Sequence, residues 1–303
     1  MILEVISVVI FSLYCFLFAE DFSDKNYELI FKTPPSEVTV KYIRPYYKNA
    51  KLMFDKIDSI YNVKFCKLGV LEEMRGKNLY NIDYLKRYRY ISDINEIKNY
   101  CDDTVRNYQK DEIEKICFSA IKDKKIKLVL IEMIDDAVFR TNFEMTYKDG
   151  MKRYVFDSNL ELEEIVELKE KNSMKEEMHY DASRVLRKKI TEKKKRFFDE
   201  ISIYENDILK RKVLKEYRTD NTLRKETISY YMPDGSISSK VVSEYDTKGF
   251  KDLECYYDSN LNLYRKIKYE HEFDEKGNWI KLIKYDITNG KKVFSVIVRE
   301  LKY

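Results

Sequence analysis

The sequence predicts an α+β protein, with a small, mainly helical N-terminal domain followed by a large antiparallel β-meander. Three observations predict it. A stretch without Gly or Pro between residues 77 and 149 holds two apolar stripes at helical spacing. The character then changes at IKLVLIEMI (126–134), a run of residues favoured in strands. Beyond it an aromatic residue followed by a turn recurs every 12 to 16 residues, a period that fits one strand plus one tight turn. The domains read from this are a signal segment over 1–19, a helical domain over 20–125 and a β-repeat domain over 126–303.

The leading segment is VISVVIFSLYCFLFA (Val5–Ala19), which carries no charge. Its 15 residues match the core of a signal peptide better than a span of about 20 residues. Glu4 in place of a basic n-region, and Leu17 three residues before a cut after Ala19, leave an uncleaved membrane anchor as the alternative. Tyr14 before Cys15 is too bulky for a lipidation site. Export would leave Cys66, Cys101, Cys117 and Cys255, an even number with three pairings open, in an oxidising compartment. Their spacing matches no zinc pattern, and small buried thiols are the plainer reading.

After Pro34 and Pro35, EVTVKYI (37–43) predicts a short strand, and Ala50, Met53, Ile57 and Ile60 share one helical face. Ser92 is placed to cap a helix striped by Ile94, Ile97, Cys101 and Val105. Ile113, Ile116, Cys117, Ala120 and Ile121 stripe a second, so the two form a helical pair.

The repeats start at Tyr204, Tyr217, Tyr231, Tyr245, Tyr257, Phe273 and Tyr285, with worn copies at Tyr147, Phe156 and Tyr180. In FDEKG, Asp274 suits the first position of a type I turn and Gly277 the fourth, where φ is positive. Asp246 and Gly249 repeat this. In Asp258-Ser259-Asn260 the asparagine is expected to replace glycine in the left-handed region. Between turns, Ile267, Tyr269, His271 and Phe273 alternate with Lys266, Lys268, Glu270 and Glu272, as an antiparallel strand with one apolar face requires.

The aromatic-Asp-x-x-Gly pattern of YDTKG and FDEKG resembles the YD-type repeats of bacterial exported and cell-surface proteins, including Rhs-like shells, and more loosely MORN-like repeats. The resemblance covers residues 140–303 and implies a β-repeat scaffold on an exported protein, without an activity. The first domain resembles no family.

Composition narrows the partners. Lys and Arg outnumber Asp and Glu by 57 to 53, so a net charge of +4 does not suggest a dedicated nucleic-acid binder. Residues 157–177 hold eight acidic and three basic residues, whereas Arg184–Arg196 holds eight basic and one acidic. Arg184, Arg187, Lys188, Lys189, Lys193, Lys194, Lys195 and Arg196 therefore form a candidate patch for a polyanion such as anionic lipid or glycan. The plainer alternative is mutual neutralisation of the two blocks on neighbouring strands.

GxSxG, HExxH, a P-loop and GxGxxG are absent. Only His179 and His271 exist, and FDEKGNW places Lys276 among its acidic residues, which disfavours a calcium loop. These readings predict a non-catalytic binding or scaffold protein of the bacterial envelope, periplasmic, outer-envelope associated or extracellular. No cofactor is expected. The expected partner is an unidentified protein or envelope component, with membrane contact only through an uncleaved N-terminal segment. The alternatives are an immunity- or antitoxin-like partner protein and, third, an enzyme housed in the N-terminal domain.

Overall fold

The computed structural model describes residues 31, 35–48, 51–53, 57–65, 71–77, 83–108, 111–123, 126–135, 137–147 and 150–303. The Val5–Ala19 segment, Cys15 and Cys66 lie outside the described residues. Among the described residues, no helix is long and apolar enough to cross a membrane.

The helical N-terminal domain is corrected. Strands β1 (Glu37–Ile43), β2 (Tyr46–Lys48), β3 (Lys51–Met53), β4 (Ile57–Phe65), β5 (Leu71–Lys77) and β6 (Asp83–Ile91) occupy most of that stretch. Only α1 (Ile94–Tyr108) and α2 (Asp111–Asp123) are α-helices among the described residues. The spacing of Ala50, Met53, Ile57 and Ile60 imitates a helix. Yet Tyr61, Val63 and Phe65 also fall on one side of a strand, and β-branched and aromatic residues favour that outcome.

The remaining strands are β7 (Ile126–Ile134), β8 (Ala137–Tyr147), β9 (Gly150–Phe156), β10 (Leu162–Lys171), β11 (Met174–Asp181), β12 (Leu186–Lys195), β13 (Phe198–Glu205), β14 (Ile208–Tyr217), β15 (Leu223–Tyr231), β16 (Ile237–Tyr245), β17 (Lys251–Tyr257), β18 (Leu263–Phe273), β19 (Trp279–Asp286) and β20 (Lys292–Lys302). Eighteen strands form one sheet, and β2 pairs with β3 separately. From β10 to β20 the strands follow in chain order. β20 then pairs with β1, β1 with β4, and the order runs on to β9, which pairs with β10. This cyclic pairing is that of a closed β-barrel, and it corrects the expected α+β fold with its antiparallel β-meander. Cyclic pairing gives each of these eighteen strands a partner on both sides.

The repeats prove to be hairpin geometry. Register shifts fall at Tyr180, Tyr204, Tyr217, Tyr231, Tyr245 and Tyr257, the same tyrosines that start the repeats. After Tyr204 the chain turns through Asn206 and Asp207, both at positive φ, whereas five Asp-led turns share another geometry. The N–H of Leu160, Arg184, Gly249, Leu261 and Gly277 donates to the carbonyl of Asp157, Asp181, Asp246, Asp258 and Asp274 respectively, at 2.8–3.1 Å. Each of these fourth residues has positive φ. The Asp carboxylates accept N–H groups two or four residues on. Asn260 is therefore corrected: Leu261 takes φ 62°, while the Asn260 N–H binds Asp258. The count from Asp, rather than the residue type, selects the left-handed position.

The described residues fall into two compact units. One contains residues up to Asp83 with His271–Leu282 and Val296–Tyr303, and the other Tyr84–Glu270 with Ile283–Ser295. In the first, Val38, Val40, Val63, Met74, Val296 and Ile297 are buried. His271 stacks on Phe273 and meets Trp279 edge-on, a packing role, and the buried Arg299 guanidinium lies 3.6 Å from the Trp279 ring centroid. In the second, α1 and α2 lie on one face of β7–β9. Ile97, Cys101, Ile113, Ile116 and Cys117 pack against Val129, Ile131, Phe143, Met145 and Phe156. Asp93, rather than Ser92, caps α1, because its carboxylate accepts the Asn95 and Glu96 N–H groups. A disulfide joins Cys101 to Cys117, and Cys255 is a free thiol.

Candidate functional site

Within the second unit, the sheet has a helix-covered face and an opposite face. On the latter, register sets one residue from each strand side by side: Leu128, Glu144, Arg153, Val166, His179, Lys188 and Glu205. Period-two alternation adds Glu177, two residues from His179. Glu144 is 1% exposed and Arg153 6%, so the pair is out of water and relies on partners within the protein. The Arg153 Nε donates to Glu144 Oε1 at 3.1 Å.

His179 sits between two carboxylates, with Nδ1 2.7 Å from Glu164 and Nε2 2.9 Å from Glu177. Burial disfavours its imidazolium, but Glu164 and Glu177 outweigh that and raise its pKa to about 9. The ring is therefore charged at neutral pH and donates through both nitrogens. Burial pushes Glu177 upward, and His179 with Arg153 hold it below the usual carboxylate range. Lys188 is depressed by burial and by the Arg211 charge, with Glu205 opposing.

Further along the same face a second knot forms. Glu254, 7% exposed, accepts hydrogen bonds from Ser243 Oγ at 3.1 Å, Lys251 Nζ at 2.7 Å, Tyr256 OH at 2.5 Å and Tyr269 OH at 2.8 Å. Burial alone would raise its pKa, and these partners lower it to about 2. In both knots every carboxylate is engaged by a cation or a hydroxyl. Such groups hold strands in register.

Sequence reasoning missed both knots. His179 has no visible partner in the linear chain because Glu164 stands 15 residues away and is brought close only by the β10–β11 pairing. The one signal present was Glu177 and His179 at a spacing of two.

The predicted polyanion patch is divided. Arg184 occupies the β11–β12 turn, and Arg187 pairs with Asp181 at 2.7 Å. Lys189 pairs with Glu176 at 2.8 Å, and alternation places Lys188 on the other face. Lys189–Glu176 is a cross-strand pair between the two blocks, whereas Arg187 is neutralised locally by Asp181, outside the acidic block. Lys193, Lys194, Lys195 and Arg196 lie at the far end of β12, exposed, with Lys194 3.6 Å from Glu192.

In the stretch read as a helical domain, Cys101 is consumed in the disulfide and Asp102 is exposed on α1. Asp274 spends its carboxylate on the Lys276 and Asn278 N–H groups and on the Tyr303 hydroxyl. Among the described residues no group of three or more His, Cys, Asp or Glu is placed to hold a metal.

No protein-family model matches the chain, and no curated protein matches it. The YD-type resemblance is corrected accordingly: shared hairpin chemistry, Tyr at a bulge and Asp opening a turn, accounts for the pattern. Solved structures with a similar chain course include a porin-like protein from Bacteroides uniformis, 10% identical, TM-score 0.42, covering 89% of this chain and 97% of that one. A porin-like protein from Bacteroides vulgatus is 8% identical, TM-score 0.31, covering 88% and 98%. A DUF1329 family protein from Desulfovibrio piger is 10% identical, TM-score 0.19, covering 89% and 86%. At these scores the likeness is loose.

Proposed function

We propose that the protein is a non-catalytic binding scaffold of the bacterial envelope, with its repeat sheet in water rather than in the lipid core. The Cys101–Cys117 disulfide carries this reading. Disulfides persist in oxidising compartments and are rare in the reducing cytosol, so the bond supports export. The aqueous setting is supported by charge on both faces of β9–β15. Lys152–Glu167, Lys189–Glu176 and Lys212–Glu200 pair on the helix-covered side, and Glu144–Arg153, His179–Glu177 and Lys215–Glu226 on the other. A lipid-spanning barrel carries an outward apolar band about 25 Å tall, and a Lys or Arg at its middle costs about 2–4 kcal/mol.

Envelope fractionation with N-terminal sequencing and thiol alkylation tests the proposal. The expected product is in the envelope, with Cys101 and Cys117 protected until a reductant is added. A full-length cytoplasmic protein with both thiols reactive would overturn it.

A further inference from the structure

We infer that the end of the sheet where β10 meets β11 and β12 meets β13 is a docking surface for anionic lipid headgroups. Lys171 stands opposite Met174, Met174 opposite Lys193, and Lys195 opposite Phe198. Because alternation keeps Lys193 with Lys195 and Phe198 with Glu200, these five residues share one face at one end of four adjacent strands. Arg196, in the turn that follows, lies with its guanidinium 5.0 Å from the Phe197 ring centroid.

Two properties separate this cluster from the rest of the basic block. First, its charge is uncompensated. Glu176 is engaged by Lys189, Glu200 by Lys212 and Glu216 by Arg224. Lys171, Lys193, Lys195 and Arg196 are exposed and, among the described residues, make no ion pair. Second, the cations are interleaved with apolar side chains that have no cover: Met174 is 38% exposed and Phe198 46%. A nucleic acid or a glycan offers anions without an apolar layer to receive Met174 and Phe198. A bilayer surface offers both, with phosphates outermost and acyl chains a few ångströms below. Lysine stems reach across the apolar residues while the ammonium groups stay at the headgroups. The surface takes its biological setting from the envelope reading, but its chemistry does not depend on that reading.

The test is co-sedimentation of the purified full chain with vesicles of equal parts phosphatidylglycerol and phosphatidylcholine, against vesicles of phosphatidylcholine alone. Any contribution of the Val5–Ala19 segment is common to all variants. Binding is expected on the anionic vesicles and is weakened by salt. Each cation near an anionic surface is worth roughly five-fold in affinity, so the Lys193→Gln, Lys195→Gln double variant should lose roughly 25-fold. Met174→Ser with Phe198→Ser should weaken vesicle binding and leave heparin retention unchanged, and Lys98→Gln on α1 should change neither. Unchanged melting temperatures in the exposed-residue variants would exclude misfolding.

Equal binding to both vesicle types, or no loss in the lysine double variant, would overturn the proposal. So would heparin retention without vesicle binding, which assigns the patch to a soluble polyanion. A cytoplasmic location would instead overturn the envelope reading and leave the vesicle result standing.

Discussion

Raising the pH through the range in which His179 loses its proton should destabilise the fold, and substituting that one residue should abolish the effect. Between Glu164 and Glu177 the imidazole titrates at about 9, against its ordinary value of 6.5. At about 1.4 kcal/mol per pH unit this difference is worth about 3 kcal/mol. The Glu164 side chain is 40% exposed and partly screened by water, whereas Glu177 is 12% exposed, so about 2 kcal/mol is the lower bound. Because the folded-state value is raised, the stabilisation is fully present below pH 6.5 and is lost as the pH rises through 9. Urea unfolding of the wild type and of His179→Gln at a series of pH values measures this. Glutamine keeps an amide donor toward one carboxylate and does not titrate, so the gap between the two proteins should close by about 2 to 3 kcal/mol across that window. A gap that stays constant with pH would refute the ion-pair account of His179.

Three further outcomes follow from the hairpins, the disulfide and the second knot. Leu261→Gly should raise stability by about 1 kcal/mol in thermal melts and Gly249→Leu should lower it by a similar amount, because both positions hold positive φ and only glycine does so without strain. Reducing the Cys101–Cys117 bond, which closes a loop with a sequence separation of 16, should cost about 3 kcal/mol in urea midpoint analysis; equal midpoints with and without reductant would contradict it. Glu254 titrates at about 2 instead of 4.5, so its stabilisation is present above pH 4.5 and fades as pH falls toward 2. Glu254→Gln should therefore converge with the wild type in acid unfolding, by about 3 kcal/mol at most.

Local chemistry was legible in the sequence and long-range pairing was not. Asp246, Asp274 and their glycines mark turns because an Asp side chain and a positive φ act within four residues of each other. The α1 and α2 stripes were readable because Ile97, Cys101, Ile113 and Cys117 recur at the helical period. In β4, by contrast, Ile57 and Ile60 match a helical period by chance, and only pairing with β1 and β5 decides for strand. The split of the basic block was equally hidden, because which lysines face acids depends on register between strands. Glu254 gave no sign of its role because its donors come from strands β16, β17 and β18 together.

The pairing of β1 with β20 sets the order in which the molecule can be made. The Ser36 N–H donates to the Lys302 carbonyl across 266 positions of sequence, so the seam waits for almost the last residue of the sheet to emerge. Hairpins such as β13–β14 form from adjacent residues and can precede it, whereas a closure of such high contact order is slow. Through that interval β1 and β20 each keep an open edge, and the chain is exposed to aggregation. The delay has a physical consequence: a late seam keeps the polypeptide unclosed, and so able to pass through a narrow opening, until β20 has arrived.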